Sequence, residues 1–302
     1  MDAFARNCKP GPAFPREYSN LYGGRRRTEK PMRQPYWREW QQTRSPKKVQ
    51  ASLAQCGHHV LTMVSKRVDE AVVLPLLPKG AQLGPPGPDD RYLLIYTFGY
   101  QQFVRFAWAP PIFSISYLEC IVGVPDVLIP GGRRTLGPFS GLGKLYADSL
   151  LAWILGRLLG YPKSLGKLHT GESSYRVETL SGRLVVSAAF QRIGMVVNPF
   201  RAAGYEQFRD LSSLVGVTKT PFGNFLFSIL EFDKAEALAQ PVIATVEVQA
   251  PDLPGLPPGI HTFVGTDAQP LTAMRARLSW TLTIKGTNAI AEQVPSASVA
   301  AR

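Results

Sequence analysis

Runs rich in aromatic and β-branched residues recur from His59 to Ile284, and they limit what this chain can fold into more than any other feature. Such side chains suit a pleated, half-buried surface and lose rotamer freedom in a helix. Strands are predicted at His59–Ser65, Tyr92–Phe98, Phe103–Trp108, Ile115–Val124, Tyr175–Leu180, Arg183–Phe190, Asn224–Phe232, Val242–Gln249 and Ala276–Ile284. Helical spacing is confined to three windows: Val68–Leu77, closed by Pro75 and Pro78, then Ser149–Leu159, then Tyr205–Leu214. The middle one is the clearest. Asp148 or Ser149 is placed to cap its first amides, Gly160 stands where a left-handed C-terminal cap belongs, and Pro162 bars continuation. Gly80–Asp90 and the glycine-rich stretch Pro130–Gly143 read as loops, and the latter lacks the spacing of a phosphate cradle. Many antiparallel-looking strands with few helices predict an α+β fold, a curved antiparallel sheet closing into a barrel or cone.

Charge divides the chain. Residues 1–50 hold twelve Lys and Arg against four Asp and Glu, so +8 of the total +12 sits there. With Arg25-Arg26-Arg27, several prolines and little apolar periodicity, this segment reads as a basic, flexible arm. Residues 51–286 read as the folded domain, and the small polar tail 287–302 as disordered. Because the basic excess lies on the arm, the body is not expected to bind nucleic acid. The most apolar window, Leu150 to Leu159, is too short to span a bilayer and carries Arg157, so no membrane partner is expected. Cys8, Cys56 and Cys120 are too few and too scattered for a disulfide framework, which favours a reducing, cytoplasmic setting. The four histidines meet no carboxylate or thiol at metal-ligand spacing, so neither metal nor cofactor is expected.

Chemistry concentrates after the central helix, in Gly160-Tyr161-Pro162-Lys163-Ser164-Leu165-Gly166. The helix stops, proline sets the turn, and a lysine emerges between apolar neighbours. By physics alone, many lysines in that place simply answer the helix dipole. The stretch resembles the signature of the acetoacetate decarboxylase family, an aromatic residue, proline and lysine followed by leucine. Tyr117-Leu118-Glu119 resembles that family's glutamate-bearing strand, and Lys144-Leu145-Tyr146-Ala147-Asp148 its approach to the helix. The resemblance implies that Lys163 attacks a ketone to form a Schiff base and that Glu119 positions substrate or moves a proton. Tyr161, His59, Arg133 and Ser164 are implied as substrate-binding residues, a small keto acid or ketone as partner, and a homo-oligomer as assembly. Ser164 stands where the family carries a second lysine, and the family's further pocket glutamate is missing between Cys120 and Tyr146. A decarboxylase is therefore expected first. An imine-forming aldolase or dehydratase, or a non-catalytic ligand-binding barrel, stays open beside it.

A free lysine with a pKa near ~10.4 is only about 0.04% neutral at pH 7. Full burial lowers a lysine by ~3–5 units, enough to replace what a neighbouring second lysine would supply. The arm makes a separate prediction. A chain beginning at Val49 is expected to fold and melt like the full chain; insolubility or a much lower melting temperature would make the arm structural.

Overall fold

The computed structural model describes residues 54–131, 134–249 and 253–286. In chain order the strands begin with β1 (Gln55–Val68), β2 (Gln82–Leu83), β3 (Tyr92–Phe106), β4 (Ile115–Gly131) and β5 (Arg134–Ala147). Then come β6 (Lys163–Leu165), β7 (Lys167–Thr170), β8 (Ser174–Glu178), β9 (Leu184–Arg192) and β10 (Val215–Lys219). The last are β11 (Phe225–Phe232), β12 (Leu238–Val248), β13 (Gly259–Val264) and β14 (Ala273–Gly286). Among the described residues, three α-helices interrupt them: α1 (Glu70–Val73), α2 (Leu150–Leu158) and α3 (Glu206–Ser213).

Seven strands close on themselves in the order β1-β3-β4-β5-β10-β11-β14, with β14 returning to β1. Closure leaves these strands no free edge to template aggregation. Two long strands make it possible by sharing an edge between partners. β14 pairs β1 along one side, while its other side takes β12 at Met274–Arg277 and β11 at Trp280–Gly286. β5 pairs β4 on one side and offers the other to β10 at Phe139–Gly141 and to β6 at Leu145–Ala147. Both of those contacts are parallel, so the barrel is mixed rather than purely antiparallel as the sequence suggested. Parallel pairing needs a crossover, and α2 provides it between β5 and β6.

β12 leaves the barrel at Pro241 and continues into a second sheet with β13, β9, β8 and β7. This sheet covers one face of the barrel strands. Phe98 of β3 packs its ring 5.6 Å from Tyr175 of β8 and 5.9 Å from Phe190 of β9. Val64, Tyr96, Cys120 and Val122 of the barrel join Val177, Val186 and Val246 of the sheet in the same buried cluster. Cys56 and Cys120 are buried. No helix among the described residues is long and apolar enough to cross a membrane.

Three local expectations need correction. Pro130–Gly143 is not a loop: β4 runs to Gly131 and β5 begins at Arg134. Gly143 is there for close approach, since a Cβ on it would come 2.7 Å from Leu76 Cβ. The window Val68–Leu77 holds the end of β1, the one-turn α1 and a 3₁₀ turn at Leu74–Leu76. Pro75 has no N–H for an α-helical bond and so limits the element to short turns. The two strands expected around Gln101 are a single β3. A bulge between Gln101 and Val104, with Phe103 at φ 54°, disturbs the alternation there. Elsewhere α2 and α3 fall in the expected windows, and Gly160 adopts φ 81° after α2. Ser149 Oγ accepts from the Ala152 amide at 3.3 Å as the cap, while Asp148 turns back to accept from the Leu118 amide at 2.8 Å.

Phe98 is only 3% exposed and joins barrel to sheet. Phe98→Ala is expected to cost about 3–5 kcal/mol in denaturant unfolding. A loss under about 1 kcal/mol would mean that the two layers do not depend on this contact.

Candidate active site around Lys163

Register puts the chemistry on one face. Across β4, β5 and β6, Ile121, Leu145 and Lys163 form one row, and Glu119, Ala147 and Leu165 the next. Positions two apart on a strand share a face, so Glu119 and Lys163 lie on the same side, opposite to the Cys120–Tyr146–Ser164 row. Ser164 therefore projects away from the Lys163 side. Around the pair the face is apolar: Val104, Tyr117, Leu145, Ala147, Ala152 and Trp280 form its buried cluster.

The corner that carries Lys163 is tied down on all sides. Its amide donates to the Tyr161 carbonyl at 2.7 Å across Pro162, and its carbonyl accepts from Trp153 Nε1 of α2 at 3.1 Å. Thr218 Oγ1 of β10 donates to the Leu159 carbonyl at 3.1 Å, satisfying the end of α2. Tyr161 is half-buried, and its hydroxyl shares a 2.7 Å hydrogen bond with Ser228 Oγ of β11. Lys163 itself is 9% exposed. Its stem crosses Gly156 so closely that a Cβ there would overlap the Lys163 Cδ and stand 2.7 Å from Cε. Nζ ends 5.1 Å from the centroid of the Tyr117 ring. Burial pushes the ammonium below lysine's usual value, while the charge of Glu119 pulls it partly back.

Glu119 is 3% exposed but well supplied with donors. Gln101 Nε2 of β3 donates to its Oε1 at 2.7 Å, and the Tyr117 hydroxyl is hydrogen-bonded to the same side chain. Burial, then the Glu119 charge, raises the Tyr117 phenol well above its usual range, so it remains a donor. Trp280 Nε1 of β14 donates to Gln101 Oε1 at 3.0 Å. From the other face, the Tyr175 hydroxyl reaches the carbonyls of Glu119 at 2.8 Å and Gly99 at 3.1 Å, holding the backbone at this point.

His59 of β1 completes the group. Its Nε2 lies 3.6 Å from Glu119 Oε1, beyond hydrogen-bond range, and is buried without a hydrogen-bond partner among the described residues. The ring occupies the space that a Cβ on Gly99 would fill. Burial lowers its pKa and the Glu119 charge opposes this, so the ring is neutral near pH 7. His58 points to the other side of β1, with Nδ1 3.2 Å from Ser279 Oγ, and is pushed down to about 4 by burial and then by the Arg105 charge. Arg133 lies outside the described residues, as do the arm and the tail. Among the described residues, no three His, Cys, Asp or Glu side chains gather as metal ligands would.

Of the side chains singled out in the sequence, Lys163, Glu119, Tyr161 and His59 are thus brought to one region. Gln101 and Trp280 were not anticipated. A glutamine in an aromatic strand carries no chemical signature, and Trp280 is 179 residues from its partner. Gly156 makes a direct test of the geometry. Gly156→Ala suits a helix interior and is expected to leave the melting temperature nearly unchanged. It displaces the Lys163 stem and should slow amine chemistry at Lys163 roughly ten- to hundred-fold. An unchanged rate would show that the contact does not set the amine's position.

No family profile matches the sequence, and no curated protein matches it either. Solved structures do resemble it. The enduracididine biosynthesis enzyme MppR complexed with pyruvate aligns with TM-score 0.53 and 16% identity, over 80% of this chain and 95% of that one. MppR complexed with the condensation product of pyruvate and imidazole 4-carboxaldehyde aligns with TM-score 0.52 and 15% identity, over 77% and 88%. An acetoacetate decarboxylase-like enzyme from Sphingomonas wittichii RW1 aligns with TM-score 0.51 and 15% identity, over 77% and 91%. The closed seven-strand barrel, extended by a second sheet and crossed by few helices, is the acetoacetate decarboxylase-like fold.

Proposed function

We propose that this protein is a lyase that binds a small keto acid as a Schiff base on Lys163 and decarboxylates it. The observation that carries the reading is a lysine amine buried on an apolar face beside a single buried carboxylate, with burial lowering its pKa. A depressed value raises the neutral fraction, and only the neutral amine can attack a carbonyl. Attack and loss of water give an imine. Once protonated, the imine of a β-keto acid accepts the electron pair of the carbon–carboxylate bond as carbon dioxide leaves, giving an enamine. Protonation at carbon and hydrolysis then return the lysine. Glu119, on the same face and coupled to the amine by its charge, is the group suited to move those protons. His59 Nε2, buried and unpartnered among the described residues, is suited to a substrate oxygen if that nitrogen carries the proton. Tyr161 and Arg133 are assigned to the same pocket by the resemblance of the Lys163 segment alone.

A second use of the same imine has its own support. MppR, which shares the fold, has been seen with a condensation product of pyruvate and an aldehyde. An enamine on Lys163 that attacked an aldehyde instead of a proton would form a carbon–carbon bond.

Borohydride reduction in the presence of pyruvate, acetoacetate or acetylacetone, followed by peptide mass mapping, tests both. The adduct is expected on Lys163, and the trapping rate is expected to rise with pH and level off below 10.5, lysine's ordinary value. Lys163→Met keeps apolar bulk and should fold without forming an adduct, and Lys163→Arg should also fail because guanidinium stays charged. Carbon dioxide release then separates decarboxylation from condensation. No adduct across the panel, or a label on another lysine, would leave a binding barrel as the reading.

A further inference from the structure

Trp280 crosses the strand between β14 and β3 to reach Gln101, and it does so over a glycine. A Cβ on Gly57 of β1 would come 2.9 Å from Trp280 Cζ2 and 3.1 Å from Val104 Cγ2. The indole N–H can only donate. Its 3.0 Å bond therefore requires Gln101 to present Oε1 to the tryptophan, which turns Nε2 toward Glu119. The usual ambiguity of an amide's orientation is removed by the chemistry of its partner. Gln101, Glu119 and Trp280 are all buried, at 8%, 3% and 8% exposure, so the Gln101–Glu119 bond is shielded from competing water.

We propose that Gln101, locked by Trp280, is a positioning residue that aims the Glu119 carboxylate at the Schiff-base carbon chemistry of Lys163. The proposal rests on the imine reading above. The amide holds Oε1 at 2.7 Å while the same oxygen stays 3.6 Å from His59 Nε2, so Gln101 rather than His59 sets the carboxylate's orientation. In a ketone adduct, Glu119 would take a proton from the α-carbon of the iminium to give the enamine and return it in the reverse step. Gln101 acts through Glu119. Its effect should fall on proton transfer far more than on imine formation.

The experiment compares two rates in the full-length protein: borohydride trapping of acetone, and exchange of acetone hydrogens for deuterium followed by NMR. Gln101→Leu is expected to lower exchange roughly ten- to hundred-fold more than trapping, the range for losing a hydrogen bond to a charged group. Trp280→Phe keeps an aromatic side chain but removes the N–H together with part of the indole, so it should shift the same ratio in the same direction by a smaller factor. If Gln101→Leu does not fold, Trp280→Phe carries the test. A ratio unchanged in the folded variants would overturn the proposal. A readout free of turnover separates it from the imine reading. The Gln101 side-chain NH₂ signals, assigned by their loss in a folded Gln101 variant, should be protected from solvent exchange and should move in both Glu119→Gln and Trp280→Phe. If they move while no ketone is trapped, the Schiff-base reading fails and the locked amide stands. If they are unprotected or do not move, the positioning role is wrong whatever the adduct shows.

Discussion

Burying a lysine amine on an apolar face is the constraint around which this molecule is arranged. An isolated charge away from water is expensive, and a protein answers by pairing it, neutralising it, or both. Here both answers are visible. Burial favours the neutral amine, and the charge of Glu119, on the same face across β5, opposes the shift. The Tyr117 ring lies under the ammonium position and donates its hydroxyl to the same carboxylate. Amine, ring and acid thus form a coupled set, in which moving one changes the electrostatics of the others.

The barrel's construction follows from the need to place such a set rigidly. β6 is only three residues long and would not persist alone, yet parallel pairing to β5 and the Trp153 bond to the Lys163 carbonyl fix it. β5 accommodates β6 because it is long enough to give β10 one part of its edge and β6 another. From the far face, the second sheet reaches through Tyr175 to the Glu119 carbonyl. The position of the acid is therefore held by layers that contribute nothing to the apolar face itself.

Space matters as much as contact. Three side chains of the region lie where a neighbour has no Cβ: Lys163 over Gly156, His59 over Gly99, and Trp280 over Gly57. Each of these glycines weakens its helix or strand in isolation. Each is accounted for by the group that passes over it. The same logic explains Gly143, which a reading by composition assigns to a loop and which in fact lets Leu76 pack onto β5.

Local physics was enough for much of this. The aromatic and β-branched runs identify most strands; Ser149, Gly160 and Pro162 bound α2; and the corner Gly160-Tyr161-Pro162-Lys163 presents a lysine with apolar neighbours. Those are consequences of propensity, capping and proline geometry, which act over a few residues. What came only from the tertiary structure is everything that depends on pairing at long range. The parallel β5–β10 contact, the shared edges of β5 and β14, and the bulge that makes β3 one strand are set by how distant segments meet. So is the partner of the acid. Nothing near Gln101 in the chain distinguishes it from its neighbour Gln102; the fold does, by bringing Glu119 to one end of its amide and Trp280 to the other. A hydrogen bond between buried groups is specified by three-dimensional register, and register is a property of the closed sheet rather than of any one strand.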